Sequence, residues 1–80
     1  MTMEHKALTL SDLKDGASAR VEAVLGGQAL LKRLSAMGIM PGAHLVKESG
    51  HGPVVVLVRG ARLALGRGMA SKIILKPAAK

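Results

Sequence analysis

Apolar positions between Gln28 and Met37 recur at helical spacing. Leu30, Leu34 and Met37 share one stripe, Leu31 stands beside it, and Lys32, Arg33 and Ser35 take the outer side. Gly38 follows the last apolar position and Pro41 comes three residues later, so a glycine stop and a proline that cannot continue the helix close it. The pattern predicts one short helix over Gln28 to Met37, entered through a flexible Gly26-Gly27 turn.

Elsewhere the period is two. Ala19, Val21 and Ala23 alternate with Arg20 and Glu22, as in a strand with one buried face. Met40-Pro41-Gly42-Ala43 carries proline and glycine at the central positions of a type II turn and launches a second strand at His44 to Glu48. Ser49-Gly50-His51-Gly52 is turn chemistry again. Pro53 to Val58 is rich in β-branched residues and too short for a buried helix, which marks it as the central strand. Gly60-Ala61 reads as a two-residue hairpin loop of type II′, with Arg62 to Leu65 as the partner strand. After the Gly66-Arg67-Gly68 turn, Lys72 to Lys76 puts Ile73 and Leu75 on one face and both lysines on the other, as a closing strand. Five short strands in a flat sheet would leave open edges and a thin core, so the expected fold is mainly β, a small barrel with one helix inserted after the first strand. No internal repeat, low-complexity tract or linker divides the chain, and residues 1–80 read as one domain with its core at about 8–76.

Size and composition narrow the function. A chain of 80 residues buries only about 60% of the surface its unfolded form exposes, which leaves little room for a cleft. There is no cysteine, hence no disulfide, thiolate metal site or cysteine nucleophile, and a reducing compartment fits. Met1 to Lys6 leads into no apolar signal core, and the longest strongly apolar run, Val54 to Val58, is far short of a membrane span; a soluble, unexported protein is expected. The chain has no aromatic residue, which argues against base stacking and against aromatic-lined grooves for proline-rich peptides. Its formal net charge is +7, and the excess is uneven: Glu4, Asp12, Asp15, Glu22 and Glu48 all precede residue 49, whereas Arg59, Arg62, Arg67, Lys72, Lys76 and Lys80 follow it. Such an imbalance suits an electropositive face for an acidic protein, an anionic lipid or a nucleic acid, or simply a solvated surface.

Four groups of residues, in order and spacing, carry a family likeness. They are Leu10-Ser11-Asp12-Leu13 with Gly16; Arg33-Leu34 with Gly38-Ile39-Met40-Pro41-Gly42; Gly52-Pro53-Val54; and Leu63 to Ile73 through Gly66-Arg67-Gly68-Met69-Ala70-Ser71-Lys72. Together they resemble the FeoA family over roughly residues 8 to 76. The resemblance implies an SH3-like barrel, a cytoplasmic location in a bacterium or archaeon, and a partner, the membrane ferrous-iron transporter FeoB with its cytoplasmic GTP-hydrolysing domain. It implies an accessory or regulatory role. Two positions depart from the family pattern. Lys47 stands where members commonly have an apolar strand residue, which marks the second strand as a more exposed edge, and Glu48-Ser49-Gly50-His51 lacks the apolar, proline-containing approach to the hairpin.

Candidate chemistry is sparse. His5, His44 and His51 lack ligand-like spacing; His44 and His51 could meet across a hairpin, but two imidazoles without a carboxylate make at best a weak site, and no metal or cofactor is expected. Gly66-Arg67-Gly68 is followed almost at once by a strand, so it reads as a turn and not as a phosphate cradle. No nucleophile with its base and no carboxylate pair assembles from Ser11, Ser35, Ser71 and the scattered acids, so an enzyme is not expected. The helix and its turn are the candidate docking surface. Leu31, Met37, Ile39 and Met40 are too many apolar residues for so small a barrel to bury, and with Arg33, Arg59 and Arg62 they suit an anchor-and-rim patch for a partner protein; equally, Leu31 and Met37 close the end of the barrel and Arg33 serves as a cation at the helix C-terminus. An alternative of another class is a basic barrel gripping RNA or DNA backbone through Arg59, Arg62, Arg67, Lys72 and Lys76. The DNA-binding helices of the metal-dependent repressors that carry a related barrel have no room here.

Overall fold

The computed structural model describes residues 8–77, with the side chains of residues 8–76. Six antiparallel strands and two helices follow in the order β1 (Leu8–Thr9), β2 (Ser18–Val24), α1 (Gln28–Ala36), β3 (His44–Ser49), β4 (Val54–Val58), β5 (Ala61–Leu65), α2 (Arg67–Ala70) and β6 (Ile73–Pro77). They form one sheet in the order β1-β6-β2-β3-β4-β5. The two ends of this sheet share a core: Leu10, just after β1, and Leu65 at the end of β5 belong to one buried cluster with Val21, Leu34, Leu45, Val56, Ile73 and Leu75. Bending the sheet around that cluster is how a small β chain buries a core at all.

The alternation read from the sequence sets the inward faces. Ala19 and Val21 of β2 are buried with Arg20 and Glu22 outside, and Val54, Val56 and Val58 of β4 point inward. In β2 the pairing to β6 runs Val21 to Leu75 and then Ala23 to Ile74, a bulge at Glu22 that leaves Ala23 only half-buried. There are six strands, not five, and the helix follows the second of them. The added strand, β1, is two residues long and exists only through its pairing to β6, Leu8 with Leu75 and Thr9 with Ile74. The segment after Gly66 is also more than a turn, because α2 makes one helical turn that seats Ala70 in the core before β6 begins.

Lys47 corrects the expectation of an exposed second strand. Its strand, β3, lies inside the sheet between β2 and β4, and Lys47 itself is only 4% exposed. Its stem is buried, and Nζ donates to the carbonyl oxygens of Leu13 at 2.6 Å and Ser11 at 3.1 Å. A buried ammonium is tolerable only with such acceptors. Here they come from the β1–β2 connection, which Lys47 thereby ties to the core.

Candidate docking surface

The end of α1 is built by local rules. Leu34 is three residues before the C-cap, Met37, and Gly38 follows at φ +90°, a left-handed angle that glycine adopts without strain. The Gly38 N–H donates to Ser35 O and the Ile39 N–H to Leu34 O, each at 2.9 Å, the paired bonds of a Schellman motif. That motif places the side chains of Leu34 and Ile39 against each other, and both are fully buried. Ile39 is therefore a core residue and not a docking contact; the backbone reversal at Gly38 turns it inward. The turn after it is as expected: Gly42 has φ +92° and the Ala43 N–H donates to Met40 O at 2.9 Å. Arg20 Nη1, donating to Gly42 O at 3.0 Å, and the Gly42 N–H, donating to Val21 O at 2.8 Å, tie this turn to β2.

The hairpin tip comes to the same place. Val58 pairs with Ala61, so the two-residue loop is Arg59-Gly60 and not Gly60-Ala61. Both residues have positive φ, 52° and 81°, which is a type I′ turn in place of the expected type II′. A methyl added at Gly38 would lie 3.5 Å from Val58 Cγ1 and 3.9 Å from Arg59 Cδ. The stem of Arg59 thus crosses the end of α1, and Met37, Met40 and Arg59 share that end of the molecule.

Leu31 belongs elsewhere. At about 100° per residue it stands roughly 60° to one side of buried Leu34, while Met37 stands roughly 60° to the other and Arg33 further round on that side. The nominated residues accordingly form two patches and not one. The sequence reading missed one exposed apolar residue: Leu25, 54% exposed, and Leu31, 39% exposed, are the large apolar side chains left exposed among the described residues, and Gly26, next to Leu25, lies against Leu30 and the stem of Lys72. Leu25 precedes the helix through Gly26-Gly27, and its N–H donates to Lys72 O at 2.8 Å. The signal for Leu25 was its position, an apolar residue between a finished strand and a glycine pair, with no inward face to occupy.

The cations are partly committed inside the fold. Arg62 Nε donates to Glu48 Oε1 at 2.6 Å across β4, and that hydrogen bond, with the charge behind it, raises the guanidinium's pKa. Arg67 donates from Nε to Gly52 O at 3.1 Å and from Nη2 to Gly50 O at 2.9 Å, holding the β3–β4 loop that lacks apolar residues of its own. Lys72 runs its stem beside Gly26, Lys76 is exposed, and Lys80 lies outside the described residues. The five cations nominated for a nucleic-acid backbone are thus not a free row. His44 opens β3 opposite Arg20 and His51 lies beyond Ser49 at the other end, roughly 17 Å along the strand, so the two do not meet. His5 lies outside the described residues. Among the described residues no group of three or more histidines or carboxylates is placed to hold a metal ion, and no helix is long and apolar enough to cross a membrane.

The FeoA domain model matches residues 8–77, all of the described residues. The chain belongs to the FeoA family. A protein of Methanocaldococcus jannaschii provisionally named Fe(2+) transport protein A is 36% identical over 70 residues, covering 86% of this chain and 85% of that one. The FeoA of Stenotrophomonas maltophilia, solved with zinc and described as a prokaryotic SH3 domain protein and a candidate activating factor of ferrous iron transport, matches with a TM-score of 0.77 at 30% identity, over 88% of this chain and 91% of that one. The fold is therefore the SH3-like FeoA barrel, and the family is one of ferrous iron transport. The Thermoplasma acidophilum protein IdeR superposes with a TM-score of 0.83 at 22% identity, over 98% of this chain but 37% of that one, a likeness of fold alone.

Proposed function

We propose that this FeoA-family protein is a non-enzymatic, cytoplasmic accessory of ferrous iron uptake that docks on the cytoplasmic part of a FeoB-type transporter. The observation that carries the reading is the exposure of two large apolar side chains, Leu25 before α1 and Leu31 on it, in a chain of this family whose described residues assemble no acid–base pair and no nucleophile with its base. Leu25 and Leu31 are the anchors, and Lys32 and the stem of Lys72 form a cationic rim. Met37, Met40, Arg33, Arg59 and Arg62 form a second contact region around the end of α1 and the hairpin. Docking changes transport by favouring one conformation of the transporter, since a ligand shifts an equilibrium only through differential affinity.

Co-purification with the transporter tests the reading. Leu31→Asp, at an exposed position, leaves the fold intact and releases the protein from the transporter, with loss of stimulated or restrained iron uptake. Intact association and uptake in both Leu31→Asp and Met40→Asp would reject this surface.

A further inference from the structure

We propose that the outer edge of β5 is a docking edge for an extended acidic peptide segment, held by main-chain hydrogen bonds at Arg62 and Ala64. The inference stands apart from the transporter reading, because it rests on the hydrogen-bonding pattern of one strand and the charge beside it.

β5 is the last strand of the sheet. Its pairing to β4 starts from a two-residue loop with Val58 opposite Ala61, so Ala61, Leu63 and Leu65 exchange hydrogen bonds with β4 while the main-chain groups of Arg62 and Ala64 point away. Among the described residues neither Arg62 nor Ala64 has another main-chain partner. Edges of this kind are ordinarily blunted by proline, a bulge, charged side chains or extreme shortness. β5 has neither proline nor bulge over five residues in unbroken register, and its one charged side chain, Arg62, is turned to Glu48. The opposite edge, β1, is only two residues long. The side chains along β5 leave the edge open, because Ala61 and Ala64 are small and Arg62 is drawn across β4 to Glu48.

Charge selects the occupant. Arg59 and Arg67 stand beyond the two ends of the strand, Arg62 within it is paired with Glu48, and every carboxylate of the chain precedes Ser49. A second copy pairing β5 to β5 would bring two sets of these arginines to one seam, where like charges oppose each other. An extended segment with carboxylates on one face meets them favourably, and backbone pairing of this type supplies affinity while the side chains supply choice.

The test is an amide NMR titration of the full chain with a short synthetic peptide alternating glutamate with valine and threonine. The expected result is a shift and new exchange protection at the Arg62 and Ala64 amides, weakened by salt. Two partner peptides separate the causes. N-methylation at the peptide residues that face β5 removes main-chain donors with the side chains intact and lowers affinity roughly tenfold; replacing glutamate by lysine abolishes binding. Ala64→Pro removes the outward N–H of the protein itself and has the same effect as peptide methylation; should that variant unfold, the methylated peptide still decides. Equal binding of the plain and methylated peptides, no binding of the glutamate peptide, or a concentration-dependent dimer whose seam is β5 would each overturn the proposal.

Discussion

At the scale of single residues, Lys47 and Arg59 are the two side chains whose positions conflict most with simple rules. Lys47 is a charge in the core, justified by two loop carbonyls. Lys47→Met keeps most of the stem and removes the ammonium, leaving the Ser11 and Leu13 carbonyls without their donor. Urea unfolding of this variant is expected to show a loss of about 2 kcal/mol. An unchanged midpoint would mean that water replaces the ammonium at no cost. Arg59 sits at φ +52°, where glycine or asparagine is favoured. Arg59→Asn is therefore expected to stabilise the fold by roughly 0.5–1 kcal/mol, while removing a cation from the end of α1 and weakening partner binding. A gain of stability joined to a loss of association is the signature of a residue kept for its contacts. Neither position was legible in advance: a lone lysine in an alternating strand reads as surface, and the left-handed angle at Arg59 depends on which two residues the ladder leaves out of register.

At the scale of elements, α1 was readable because its signals are local. The Leu30–Leu34 stripe, Gly38 and Pro41 lie within one short segment, and the observed Schellman end follows from them. Gly38→Ala is expected to cost about 1–2 kcal/mol in thermal unfolding, because the added methyl meets Val58 at an ordinary 3.5 Å and the penalty is the left-handed backbone alone. The start of α1 is weaker, with Gly27 as N-cap in extended conformation, no side-chain cap bond and no acid in the first turn. Gly27→Asp adds both, with open space for the new side chain, and is expected to raise stability by about 0.5 kcal/mol. A fall in the unfolding midpoint would show that the entry to the helix needs glycine. β1 and α2 escaped the sequence reading for the opposite reason: two residues cannot show a period, and four residues including Gly68 have little helical preference. Their partners make them, β6 for β1 and the core pocket of Ala70 for α2. Ile39 was misplaced because counting apolar residues against a small core ignores the inward turn that Gly38 imposes.

At the scale of the whole molecule, the candidate surface is divided by the stripe that holds α1 to the sheet. Leu31 stands on one flank of α1, Met37 on the other with Arg59 at the helix end, and Leu34 between them is fully buried. Two side chains that share no neighbour contribute to binding independently unless the partner itself couples them. A double-mutant cycle therefore reads the shape of the bound partner. In titrations against the purified transporter, Leu31→Asp and Arg59→Asn are expected to weaken association separately, with the double variant equal to the sum of the two within about 0.5 kcal/mol. That result describes a partner that straddles α1 and touches both flanks as separate contacts. If Arg59→Asn has no effect while Leu31→Asp abolishes binding, the partner lies wholly on the Leu31 side, and Arg59 is left free for the extended segment at β5. A strong coupling between the two variants describes a single partner element that reaches around the helix and touches both flanks at once.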